Sequence, residues 1–259
     1  MDWRSIIQFI EVRDPGFTAR RHGATAEQIA ALQRLHPVAL PHAYTSYLAA
    51  FGEDDGGFTL SPERFTSVGA LLDEAHAPRE SELRPGYPAD RFIRIGGQLD
   101  ERDDSYWGDL YLDLAAGDRD DPPLLAHEFI EPYDPADEPF VVSPRFSEYV
   151  QRRAFAVYEE SRRPFAVTVS LGFAARRLTQ RWAEVQVLLQ KAGFQAALPG
   201  GPMLWIGTRT DDSASVCAHV AEALVKLLIV ADHPEDCARV GEIVRDNVIA
   251  EYIRVQSGD

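Results

Sequence analysis

Leu110-Tyr111-Leu112-Asp113-Leu114, entered through Gly108-Asp109, has the period-two pattern of a strand, with the three leucines on one face and Tyr111 and Asp113 on the other. This strand lies in the most acidic part of the chain. Between Asp100 and Glu138 there are 14 Asp or Glu residues against two arginines, Arg102 and Arg119, a net of −12 within a total of −15. Such a concentration repels nucleic acid and anionic membrane surfaces and attracts a basic partner.

Charge also divides the chain. Residues 1–160 carry 30 acidic and 15 basic side chains, whereas residues 161–259 carry 11 of each. This asymmetry predicts two domains, 1–160 and 165–259, separated at the polar stretch Glu159 to Pro164. No run reaches the roughly 18 apolar residues that a membrane span needs. Met1-Asp2-Trp3-Arg4 does not open like a signal peptide, so the cytoplasm is the expected location. Cys217 and Cys237 are too few for a disulfide framework and are expected to be small core residues.

The first domain reads as helices around strands. Thr25-Ala26-Glu27-Gln28 has the form of a capping box, and Ile29, Leu32 and Leu35 mark the face of the helix it starts. A second helix begins at Leu40-Pro41, carries the stripe Tyr44, Tyr47, Leu48 and Phe51, and closes at Gly52. Glu53 to Gly57 reads as a turn into a short strand at Phe58-Thr59-Leu60, and Ser67 to Glu74 as a short helix. Phe92 to Ile95, Leu110 to Leu114 and Leu124 to His127 read as strands. Ser143-Pro144 then caps a helix with Phe146, Val150, Ala154 and Val157 on one face. The expected class is α+β with an antiparallel sheet and flanking helices.

The second domain opens with a strand, Phe165 to Leu171, and a helix with the stripe Leu178, Trp182, Val185 and Leu189. A hairpin follows around Pro199-Gly200-Gly201, with Trp205 in the core. Two helices, Ser213 to Ala231 and Glu235 to Arg254, are expected to close the chain, with Asp211-Asp212-Ser213 as a cap. The order β-α-β-β-α-α is that of a ferredoxin-like unit without its final strand.

Residues of about 20–150 resemble the SUKH superfamily, the Smi/Knr-like group. Gly23-Ala24-Thr25-Ala26-Glu27-Gln28-Ile29 followed by Leu40-Pro41-His42-Ala43-Tyr44 is similar to the family's capped helix and hLPxxY motif. Gly108 to Leu114 and the strand ending at His127-Glu128 are similar to its central sheet signature. The loop Asp100 to Tyr106 is longer and more acidic than in a typical member, and residues 165–259 are not covered. The resemblance implies an α+β fold. It also implies a role like that of bacterial members, immunity proteins that bind and neutralise toxins, often nucleases; eukaryotic members act as interaction hubs.

Signals for catalysis are sparse. The seven histidines show no zinc spacing, and no P-loop or nucleophile-elbow pattern occurs. On the expected helix, Cys217 and His219 would stand about 200° apart and could not share a metal. His127 and Glu128, neighbours on a strand, point to opposite faces. Asp100, Asp103, Asp104 and Asp109 lack an EF-hand register, which leaves a cation site, a solvated loop or a partner-binding loop. Trp107 beside Tyr106 is either an aromatic anchor ringed by carboxylates or part of the sheet core.

The expectation is a non-catalytic, cofactor-free protein, of immunity type, that occludes a basic toxin domain. Asp100, Glu101, Asp103, Asp104, Tyr106, Trp107, Asp109, Asp118, Asp120 and Asp121 are the expected contact residues. No catalytic or metal residue is named, and neither nucleic acid nor membrane is an expected partner. A scaffold or regulatory module is the alternative, and a cation-dependent hydrolase the third. Residues 165–259 are left open as a dimerising, partner-binding or packing unit.

Overall fold

The structure, a computed structural model, describes residues 3–58, 60, 67–76, 88, 90–96, 110–126, 140–221 and 224–257. It is mixed α+β with two antiparallel sheets and flanking helices. The chain forms two compact units. One holds Met1–Ile7 and Asp14–Val150, and the other Gln8–Arg13 and Gln151–Asp259. No helix among the described residues is long and apolar enough to cross a membrane.

The first unit begins with α1 (Arg4–Arg13), whose first half belongs to it, and α2 (Phe17–Arg20). In α3 (Ala26–Leu35) the capping box forms as predicted: Gln28 N donates to Thr25 Oγ1 and Thr25 N to Gln28 Oε1. Only Leu32 of its expected stripe is fully buried, and Leu35 is exposed. Helix α4 (His42–Phe51) buries Tyr44, Tyr47, Leu48 and Phe51, and Pro41 stands at its N-cap. These side chains join Trp3, Phe17, Phe58 and Phe146 in an aromatic core with ring centroids 5.1–6.4 Å apart. Phe58 enters this core without belonging to a strand, and Thr59 lies outside the described residues.

After α5 (Val68–His76) come β1 (Phe92–Gly96), β2 (Leu110–Asp113), β3 (Leu124–Ala126) and β4 (Phe140–Ser143), which pair antiparallel in that order. The alternating strand is buried on both faces. Ile93, Leu112 and Leu124 lie on one, and Phe92, Tyr111 and Leu125 cluster on the other. The strand β4 carries no strong alternation, and the sequence pattern does not foretell it. Helix α6 (Phe146–Phe155) buries Phe146, Val150 and Ala154 as predicted, while Val157 lies beyond it, half-buried.

In the second unit α6 runs into one turn of π-helix, Ala156–Glu160. Then follow β5 (Phe165–Gly172), α7 (Leu178–Lys191), β6 (Phe194–Ala196), β7 (Leu204–Arg209), β8 (Ala214–Ala221), β9 (Leu224–Ala231), α8 (Pro234–Asn247) and β10 (Tyr252–Ser257). The sheet has the order β10-β5-β9-β8-β7-β6. Trp182, Val185 and Leu189 of α7 and Cys237, Val240 and Val244 of α8 pack with Val169, Leu171, Trp205, Val216, Leu227 and Ile229 into one core. The predicted hairpin around Gly200 is present; with φ of +70°, Gly200 occupies the left-handed region that suits a residue without Cβ.

Three expectations fail here. Ser213 to Ala231 is not a helix but the hairpin arms β8 and β9. Ala214, Val216, Ala218 and Val220 face the helices, while Ser215, Cys217 and His219 face away. With both faces covered, the segment reads as an almost unbroken apolar run, for which helix and buried strand look alike. Asp211-Asp212-Ser213 is the β7–β8 turn instead of a cap, with Asp212 at φ of +54°. The helix expected over Glu235 to Arg254 stops at Asn247, and Tyr252–Ser257 pairs with β5. The order expected as β-α-β-β-α-α is therefore β-α-β-β-β-β-α-β.

Candidate functional site

Of the expected contact residues, the structure describes Asp118, Asp120 and Asp121; Asp100, Glu101, Asp103, Asp104, Tyr106, Trp107 and Asp109 lie outside the described residues, as do His127 and Glu128. The three aspartates form the turn between β2 and β3. Asp113 N donates to Pro123 O (3.1 Å) and Ala115 N to Asp113 Oδ1 (3.0 Å), which closes the base of the loop. At the tip Gly117 takes φ of +65°, and Asp118 and Asp121 form an isolated bridge.

Two helix N-termini pin this turn. The first free amides of a helix need acceptors from outside it. Ala43 N of α4 donates to Asp120 O at 2.8 Å, and Phe146 N of α6 donates to Pro122 O at 2.8 Å. Asp121 completes the second cap by accepting from Ser147 N (2.9 Å) and Ser147 Oγ (2.6 Å). A carboxylate at a helix N-terminus also meets the favourable end of the peptide dipoles. The cap of α6 thus comes from 26 residues away, not from Ser143-Pro144, whose Ser143 hydroxyl is buried without a partner.

The aspartates therefore differ in duty. Asp121 is held in the frame by both carboxylate oxygens. Asp118 accepts from Asp120 N (3.0 Å) and is exposed. Asp120 is exposed with its backbone fixed, and among the described residues neither it nor Asp118 has an ion-pair partner. At the base of β2, Asp113 is consumed internally. Arg91 reaches both its oxygens at 2.8 Å and stacks over Phe92, and this pairing holds the Asp113 carboxyl below its usual range. The result is a turn held at two helix ends that presents the carboxylates of Asp118 and Asp120 to solvent.

A second polar cluster sits in the other unit. Glu159, on the π-turn and sealed from solvent, accepts from Arg13 Nε and from Arg163 Nε (3.1 Å). Arg163 extends the chain to Asp212 and Asp232, both at 2.8 Å. Arg162 also reaches Asp212 at 3.2 Å, so three arginines meet three carboxylates, and with Asp212 and Asp232 at the solvent edge the cluster reads as a fold-stabilising network. Sequence reasoning missed it because Arg13 and Glu159 are 146 residues apart.

On the sheet face opposite the helices, Cys217 and His219 stand two residues apart on β8 and share one side, contrary to the helical expectation. Burial pushes the Cys217 thiol up to about 12. Burial, with Arg152 and Lys226 nearby, holds His219 down at about 3, and its buried Nδ1 has no partner. Cys237 is also buried, its thiol raised to about 11 by burial and Asp236. Neither cysteine is an activated nucleophile. Among the described residues no group of three or more His, Cys, Asp or Glu is placed to hold a metal ion.

No family model matches the chain, and neither the curated proteins nor the solved structures provide a match.

Proposed function

We propose that the protein is a non-catalytic binding module of the SUKH immunity type, which neutralises a basic, nuclease-like toxin domain in the bacterial cytoplasm by stoichiometric occlusion. One observation carries this: a net of −12 between Asp100 and Glu138, of which the described turn holds Asp118 and Asp120 exposed on a backbone anchored to two helix ends. Exposed carboxylates at fixed positions suit a surface that takes the place of phosphates in a cationic cleft. Preorganisation lowers the cost of binding, and surplus charge speeds encounter. Four antiparallel strands with flanking helices are compatible with the resemblance in residues of about 20–150.

The test is a pull-down from cells of the source organism at low and high salt, with the wild type and with charge reversals D103K/D104K/D109K and D118K/D120K. A basic protein captured at low salt, released at high salt and lost with either set of reversals supports the proposal. Capture unaffected by salt and by both sets would overturn it, as would retention of no basic protein at low salt.

A further inference from the structure

We infer that the second unit pairs with a second copy of this chain through β10, joining two six-stranded sheets across a twofold axis at Val255. The two edges of the sheet are unlike. Strand β6 is three residues long and runs into Leu198-Pro199-Gly200-Gly201-Pro202, where two prolines limit further pairing. Strand β10 is six residues long, pairs with β5 on one side, and among the described residues has no strand on the other. It contains no proline and only one charge, Arg254, so it lacks the devices that normally blunt an edge.

Among its exposed residues Tyr252 and Val255 are apolar, while Arg254 and Gln256 are polar. Val255 is 47% exposed and Tyr252 46%, although each belongs to a regular strand. Ile249, just before the strand, is 75% exposed, and Phe165 at the start of β5, on the same face as Val255, is 39% exposed.

The strand complements itself in one antiparallel register. Centred on Val255, the pairing sets Val255 against its twin, Arg254 against Gln256, and Ile253 against Ser257. Centred on Arg254 it would oppose two guanidinium groups. Centred on Ile253 it would set Glu251 against Val255 and Tyr252 against Arg254. Because β6 is blunted, pairing through β10 closes at two copies instead of propagating into a fibre. This dimer does not depend on the acidic turn.

The test uses the full chain. Sedimentation equilibrium is expected to give twice the mass of one chain for the wild type, and one chain for V255K, which brings two ammonium groups together at the axis. V255K is expected to unfold cooperatively with a midpoint independent of protein concentration, whereas the wild-type midpoint rises with concentration. Under mild oxidation V255C is expected to cross-link to itself, since opposed residues on paired strands have Cα atoms about 5 Å apart. I253C is expected not to, because its twin would be about 14 Å away. The buried Cys217 and Cys237 give no background in the native protein. A monomeric wild type, a dimer unaffected by V255K, or cross-linking by I253C instead of V255C would each overturn the inference.

Discussion

Glu159 and Arg163 lie one turn apart, joined Oε2 to Nε at 3.1 Å, and their side chains are 0% and 1% exposed. Arg13 approaches the other oxygen of the same carboxylate, so a single buried anion sits between two guanidinium groups. The π-turn carries Glu159; Arg163 follows it by four residues, and Arg13 arrives from 146 residues upstream.

Removal of the anion exposes the cost of this arrangement. E159A leaves Arg13 and Arg163 buried without their shared partner and is expected to destabilise the protein by about 3–5 kcal/mol. D232N, at a carboxylate 52% exposed and paired to the same arginine, is expected to cost under about 1 kcal/mol. Urea unfolding of the two variants measures both. Equal losses would show that burial is not what sets the value of the network.

His219 makes stability depend on pH in a defined direction. Its folded-state value near 3 lies below the ordinary 6.5, so between these limits the unfolded chain binds a proton that the folded chain does not. Stability from this group is therefore complete above pH 6.5 and falls as the solution is acidified toward 3, by up to about 1.4 kcal/mol per pH unit. From pH 7 to pH 5 the wild type is expected to lose about 2 kcal/mol more than H219L. Urea midpoints at both pH values decide it, and parallel losses would remove His219 as the cause.

Gly23 is a position where the backbone itself sets the residue. An added Cβ would stand 1.9 Å from Ala49 O of α4, beside the hydrogen bond from Ala24 N to Leu48 O (2.8 Å). G23A must push this segment off the helix and is expected to cost about 2–3 kcal/mol. Differential scanning calorimetry should register a lower midpoint. An unchanged midpoint would mean that the approach relaxes freely.

What the sequence revealed depended on the range of the interaction that sets each element. Thr25 and Gln28 satisfy each other three residues apart, and the stripe from Tyr44 to Phe51 marks one helical face, so both were legible. The helix expected across Cys217 and Lys226 failed because β8 and β9 are covered on both faces, which hides the period of two. Short-range patterning could not show that Tyr252 pairs with Gly172, that Arg91 grips Asp113 from 22 residues away, or that Asp121 caps α6. In the acidic region the surplus charge was visible in composition, but not its division into carboxylates that hold the turn and carboxylates that face solvent.

That division gives the sharpest contrast between fold and binding. Asp121 accepts two hydrogen bonds from Ser147, one to the backbone at the start of α6, and D121A is expected to cost about 1 kcal/mol, as loss of a helix cap does. Asp120 contributes its carbonyl to α4 while its side chain is exposed, and reversal of the side chain leaves that carbonyl in place. D120K is therefore expected to change stability by less than about 0.5 kcal/mol. Partner binding should respond in the opposite order. D120K would slow association and weaken its salt dependence, whereas D121A would act on binding only through loosening of the turn. Thermal unfolding and stopped-flow association, measured on both variants, separate the two roles. If D120K unfolds as readily as D121A, or associates as fast as the wild type, Asp120 has no part in steering a basic partner.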